Sequence, residues 1–279
     1  MLTISFFIIK NYIFALEKIK TMATYKKVKT KKATTSTDKS QSTTKEVFET
    51  LDLTASKSEQ WIQKNQKAIL FALVFVAVVI LGYMGYTKYV QEPKEFEATN
   101  ELAFPRKYFE EALGSKAAIL QEKERDSLLN LGLEGADGKY GFIDIADTYS
   151  GTNAGNLAEY YAGISYLKMR DYKNAITHLG NYSSDDELLA PTSYGAIGDA
   201  FAEINQLDDA LEYYVKAFKA QDNEFTTPMF LMKAGKVALN LGKFKEALKY
   251  FTHVENEFGK SPFAKDLDFY KNQAQYSIK

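Results

Sequence analysis

Residues 191–220 read PTSYGAIGDAFAEINQLDDALEYYVKAFKA, and two small residues in this stretch decide the fold. Gly198 and Ala210 stand twelve apart, and the same pair at the same separation recurs as Gly163 with Ala175 and as Gly235 with Ala247. The units are offset by 35 and then 37 residues. Tyr166, Phe201 and Ala238 lie three after each glycine, and Leu179, Tyr214 and Phe251 lie four after each alanine. That register belongs to paired antiparallel helices. Interaxial distances of about 8–10 Å leave no room for a long side chain at a crossing, so small residues mark the crossings and larger ones fill the space to the next pair. Met169-Arg170-Asp171-Tyr172, Asn205-Gln206-Leu207-Asp208 and Leu241-Gly242-Lys243-Phe244 supply the turn inside each pair.

This spacing resembles the tetratricopeptide repeat, whose period is about 34 residues. Three units fit, at 156–190, 191–227 and 228–261, although the family's first-helix Trp is replaced by Glu159, Tyr194 and Leu231. Residues 261–278 then read as a capping helix, with Phe263, Leu267, Tyr270 and Ala274 on one face. Upstream, Tyr140 to Ala146 reads as the second helix of a degenerate unit whose first helix is 117–131. A further helix over 95–113 is expected to break or bend before Pro105.

Outward again lies the other decisive stretch, residues 68–87, twenty residues without a charge. At 1.5 Å per residue that length crosses a hydrocarbon core of about 30 Å. Its eleven Ile, Leu, Phe and Val residues supply about −3 to −7 kcal/mol on the insertion scale. Trp61 on one side and Tyr83, Tyr86 and Tyr89 on the other suit the two interfaces, bracketed by Lys67 and Lys88. The competing reading, a buried helix of a soluble core, would normally keep a polar stripe. Close flanks do not orient the span, since Lys57, Lys64 and Lys67 face Lys88, Lys94, Arg106 and Lys107. The cluster Lys26, Lys27, Lys29, Lys31 and Lys32 does: short basic segments resist translocation, so the N-terminus is placed in the cytoplasm.

The expected fold class is therefore all-α, a single N-terminal transmembrane helix followed by a tetratricopeptide-repeat α-solenoid. The chain divides into 1–21, an upstream extension if Met22 is the true start; 22–60, a basic, largely disordered tail; 61–90, the transmembrane region; 91–155, a helical segment with a degenerate repeat; and 156–279, three repeats and a cap. In the tail, Val47, Phe48, Leu51 and Ala55 recur at helical spacing. They read equally as an amphipathic stretch on the inner leaflet or a partner, or as an inward extension of the span.

Chemistry is sparse. The 279 residues carry 35 basic and 36 acidic side chains, a net −1 that argues against a nucleic-acid binder. The balance hides an asymmetry, with residues 1–67 basic and 88–279 acidic. With no cysteine, thiol nucleophiles and Cys-based metal sites are excluded. Gly132, Gly135, Gly138 and Gly141 follow no strand and precede Lys139-Tyr140 rather than the Lys-Ser/Thr of a phosphate loop, so they read as a turn. His178 and His253 lack a metal-ligand spacing. Asp185-Asp186 and Asp208-Asp209 fall at helix starts, where the dipole accounts for them. Asn181-Tyr182-Ser183 matches a glycosylation sequon, a pattern common by chance. No enzyme activity, cofactor, metal, nucleic-acid or small-molecule ligand is expected.

What remains is a repeat surface, and repeat scaffolds bind proteins along their concave face. The register puts Tyr160, Ile164, Leu167 and Lys168, then Asp199 and Glu203, then Met232, Lys236 and Asn240 on the first-helix inner face. Tyr160 and Ile164 stand where cochaperone repeats carry the Lys and Asn of a carboxylate clamp, so that clamp is not expected. Gly82 and Gly85 form a small-residue patch where another membrane helix can approach.

A basic tail, one span and an acidic repeat domain together resemble the YfgM type of ancillary subunit of the bacterial Sec translocon. The resemblance covers residues 22–279, its local signatures being 140–146 continuing through Tyr149-Ser150-Gly151-Thr152 into Leu157-Ala158. It implies an inner-membrane protein with a periplasmic repeat domain, associated with SecYEG and with periplasmic chaperones or exported polypeptides. The alternative is a periplasmic adaptor in cell division or envelope assembly. Such adaptors usually carry a cleaved signal or a lipobox Cys, and neither is seen here.

Overall fold

The computed structural model describes residues 42–115 and 117–278, with side chains from Trp61 onward. The readings made for residues 1–41, the extension and the part of the tail that carries the lysine cluster, lie outside the described residues. The described residues are helical, with no strand among them and one isolated bridge, Ala136 to Lys139. The chain divides into two units between Val74 and Phe75.

Helix α1, Ser42–Tyr86, starts within the first unit and carries the uncharged stretch. Residues 42–60 are continuous in helix with it. An 18-residue window of the helical run Trp61–Leu113 has a mean hydropathy of 2.7 and none of it is buried. Phe71 and Phe75 are 75% and 69% exposed. A core helix of a soluble protein would bury these side chains, so α1 is a candidate membrane span.

A single π-turn, Thr87–Gln91, leads into α2, Glu92–Leu113. Of the break or bend expected before Pro105, a break does not occur. Pro105 is buried inside an unbroken helix, where packing offsets the roughly 3 kcal/mol that an interior proline costs. The expected helix over 117–131 is also shifted. A 3₁₀ turn covers Ala117–Ile119, and α3 runs Glu122–Glu134 because the Glu124 carboxylate accepts from the Gln121 N–H at 3.2 Å, fixing the start one turn later. Of the four glycines read as a turn, Gly135, Gly138 and Gly141 lie between α3 and α4, Phe142–Thr148, with Gly135, Asp137 and Gly138 at positive φ, whereas Gly132 is buried within α3.

Three helix pairs follow: α5, Asn153–Lys168, with α6, Tyr172–Asn181; α7, Leu189–Glu203, with α8, Leu207–Ala220; and α9, Thr226–Asn240, with α10, Phe244–Phe258. A cap, α11, Leu267–Ser277, packs on α10. Each helix packs chiefly on its sequence neighbours, as a solenoid requires. The first core joins α2, α3 and α4 to α5 through Ala98, Leu102, Leu133, Phe142, Ile145, Ala158 and Ala162. The last runs from Ala210 and Tyr214 to Leu267 and Ala274 of the cap.

All six small residues read as crossing positions, Gly163, Ala175, Gly198, Ala210, Gly235 and Ala247, are buried. A methyl group on Gly163 would meet Leu179, on Gly198 the Tyr214 ring, and on Gly235 the Phe251 ring. Phe251 is fully buried and has nowhere to swing. Gly235→Ala is expected to lower the unfolding free energy by about 1–3 kcal/mol, the usual cost of overpacking a filled core. Gly180→Ala, with nothing within 4 Å of the added methyl, is expected to raise it by about 0.5–1 kcal/mol. Urea denaturation followed by circular dichroism checks both, and equal shifts would refute the crossing constraint.

Candidate protein-interaction surface

The site is built where the first two pairs meet. Helices α5 and α7 present Leu167, Lys168, Asp199 and Glu203 to one open cavity of about 630 Å³, joined by Arg170, Tyr172, Ala202, Tyr214 and Lys233. Its position follows from the turns. Arg170, seven residues after Gly163, has φ 64°, so the chain reverses tightly after α5 and Tyr172 enters α6 beside α7. The Asp171 carboxylate caps α6 by accepting from the Asn174 N–H at 3.2 Å.

Asp199 is the electrostatic centre. Lys233 Nζ donates to both of its carboxylate oxygens, at 2.6 and 2.8 Å, and the Tyr214 hydroxyl donates to Oδ1 at 2.7 Å. Burial first, and then the Asp199 charge, hold the Tyr214 phenol well above the usual range. Lys233 also lies over the Tyr214 and Phe230 rings, at 5.6 and 5.7 Å from their centroids. At the edge, the Tyr172 hydroxyl donates to Glu203 at 3.3 Å and Arg170 pairs with Glu122 at 3.0 Å. Lys168 is exposed. The wall is thus aliphatic at Leu167 and Ala202, with both charge signs around it.

Of the nine residues read as the inner face, four share this cavity: Leu167, Lys168, Asp199 and Glu203. Tyr160 and Ile164 are half-buried and pack beside Leu179 and Ile197, with Tyr160 5.1 Å from the Tyr182 ring. Asn240 is exposed at the end of α9. Lys236 is half-buried and lies 4.6 Å from the centroid of Tyr270 on the cap, which covers this end of the face. Met232 requires a correction. It is 4% exposed and belongs to the C-terminal core, because in the last pair an apolar side chain at this register is taken into the cluster that also holds Leu267 and Ala274. Gly82 and Gly85 have nothing within 4 Å of an added methyl, so within the described residues their face stays open.

Sequence reasoning missed Arg170, Tyr172 and Lys233 at the rim of this cavity, and the buried Tyr214 that lines it. Lys233 had a signal, since it follows Asp199 by 34 residues, about one repeat, and a long cation one unit on reaches back to the preceding carboxylate. The histidines are engaged structurally. His178 Nδ1 lies 2.6 Å from Glu159 Oε2 with its ring stacked on Tyr166, and His253 pairs with Glu257 at 3.1 Å. Among the described residues no three His, Cys, Asp or Glu side chains are grouped to hold a metal.

A tetratricopeptide-repeat family model matches residues 191–224, which begins at Pro191 like the second unit derived above. No curated protein matches the chain. Tetratricopeptide repeats are a protein-interaction fold without catalytic chemistry of their own, and the pairs flanking the match share its geometry.

Burial, helped by the neighbouring Tyr182 and Tyr161, pushes the Tyr160 phenol up to about 12. A raised phenol favours the folded state while it is neutral. Its contribution is complete below the unfolded value, about 10, and is lost as pH rises toward the folded value. Melting temperature is expected to fall progressively above about pH 10, and Tyr160→Phe is expected to shallow that fall. An unchanged alkaline slope in the variant would reject this assignment.

Proposed function

We propose that this chain is a membrane-anchored protein-interaction scaffold, and specifically an accessory subunit of the bacterial Sec export translocon. In this reading residues 61–90 span the inner membrane with the N-terminus in the cytoplasm. The repeat domain stands in the periplasm beside newly exported polypeptides and their chaperones. The supporting observation is the open cavity between the first two helix pairs, which offers an aliphatic floor at Leu167 and Ala202 within a rim of both charge signs. Such a surface suits extended or partly folded polypeptide rather than one small substrate. The exposed apolar face of α1, with the open patch at Gly82 and Gly85, suits a second membrane helix, for which the channel is the proposed source.

Affinity purification of the full chain from native membranes in gentle detergent, with mass spectrometry of the co-purifying proteins, tests this reading. Channel subunits are expected, retained by a variant lacking residues 92–279 and depleted by Gly85→Leu. Lys168→Glu is expected to lose exported polypeptides or chaperones while keeping the channel. Recovery of division or peptidoglycan proteins without the channel would replace the translocon reading with the envelope-adaptor one.

A further inference from the structure

Very little chain separates the candidate span from the first contact of the repeat domain. The uncharged run ends at Thr87, and four residues later Gln91 Nε2 donates to the Gly151 carbonyl at 2.7 Å. Lys94 Nζ donates to the Ser150 carbonyl at 3.1 Å. The Glu95 carboxylate then accepts from the Asn153 and Ala154 N–H groups at 2.6 and 3.0 Å, closing the start of α5. Every one of these bonds lands on residues 150–154. Ala98 and Leu102, the next positions on the same side of α2, are buried in the first core. The intervening residues are helical throughout, a π-turn over Thr87–Gln91 and then α2, so the second unit contains no stalk between the two.

Distances along the helix set the depth of this turn's nearer end. At about 1.5 Å rise per residue, Gln91, which holds Gly151, lies roughly 6 Å beyond Thr87, and Glu95 roughly 12 Å. The headgroup layer extends about 5–7 Å beyond the hydrocarbon on each side. Tyr89, between them, is 78% exposed, as an aromatic at interface depth would be before lipid covers it. The chemistry of the turn agrees. Ser150, Gly151 and Asn153 are exposed and uncharged. With Asn156, Asn181 and Ser183 they line an open cavity of about 480 Å³ walled by hydroxyls, amides and carbonyls. Its carboxylate, Glu159, is engaged by His178 and Asn181.

We propose that the 150–154 turn rests in the lipid headgroup layer, so that the repeat domain is mounted directly on the bilayer surface rather than carried on a tether. This rests on the reading of residues 68–87 as a membrane span. The cavity between the first two pairs, at the opposite end of α5, then lies within about 21 Å of that turn, so whatever binds there is met close to the bilayer.

The chain has no cysteine, so Ser150→Cys and Val78→Cys each give one spin-label site. Ser150 bonds Lys94 through its carbonyl, and the substitution leaves that contact in place. The full chain is reconstituted in phosphatidylcholine vesicles, with nickel either chelated on lipid headgroups or free in solution at the same total concentration. The label at position 150 is expected to relax several-fold faster with headgroup-bound nickel. The label at position 78 is expected to be shielded from soluble nickel and accessible to oxygen. Equal relaxation at position 150 in both nickel samples, with position 78 in the hydrocarbon, overturns the headgroup seating alone. Soluble nickel reaching position 78 overturns the membrane reading and the seating with it.

Discussion

Three close helix crossings hold residues 153–258 together, and each has the same form. A glycine on the first helix of a pair admits the side chain that stands sixteen residues later on the second: Leu179 against Gly163, Tyr214 against Gly198, Phe251 against Gly235. Because the glycine removes the only side-chain atom in the way, the two backbones approach and the guest is buried, Leu179 to 1%, Tyr214 to 4% and Phe251 fully. The crossing also sets the next pair. Tyr214 stacks on Phe230 of the third pair at 6.4 Å, and Phe251 stacks on Tyr270 of the cap at 6.0 Å. One local constraint, repeated, therefore propagates along the solenoid.

The other end of the solenoid is fixed by a different interaction. The first four N–H groups of a helix have no intrahelical acceptor, and α5 begins at a turn where Thr152 satisfies only the Gly155 N–H, at 2.9 Å. Glu95, 58 residues away in sequence, satisfies two more, and its negative charge sits at the positive end of the helix dipole. The helix that follows the candidate span thus supplies the cap of the first repeat helix. Formation of that repeat helix is thereby coupled to the placement of the helix that follows the candidate span.

The parts of this architecture legible in the sequence are those set by spacing. The identical glycine-to-alanine interval located the three pairs, and the uncharged twenty-residue run located the candidate span, because both signals are local and periodic. What escaped was set by contacts between distant residues. Glu95 has no neighbour in sequence that marks it as a cap. Pro105 argues locally for a break that its burial beside Gly132 of α3 overrides. Met232 occupies the same register as half-buried Tyr160, and whether that position meets solvent depends on what covers the last pair. The inner face was thus legible as a helix face, while its division into open, covered and buried parts was not.

The turn after each first helix shows how the repeat frame and the surface compete. Seven residues after each crossing glycine the backbone turns left-handed, at Arg170 (φ 64°), Asn205 (φ 60°) and Gly242 (φ 70°). Glycine and asparagine adopt this region readily, whereas a long side chain there costs about 1 kcal/mol or more. The third pair carries the unstrained residue and the second a tolerated one. Only the first pair places a strained cation there, and that cation lines the open cavity, where its exposed pairing with Glu122 is worth at most about 1 kcal/mol. So small a return roughly cancels the strain and adds no net stability. Stability therefore does not account for a guanidinium in this left-handed position, and the first pair departs here from the glycine and asparagine that the other two pairs carry at the same register.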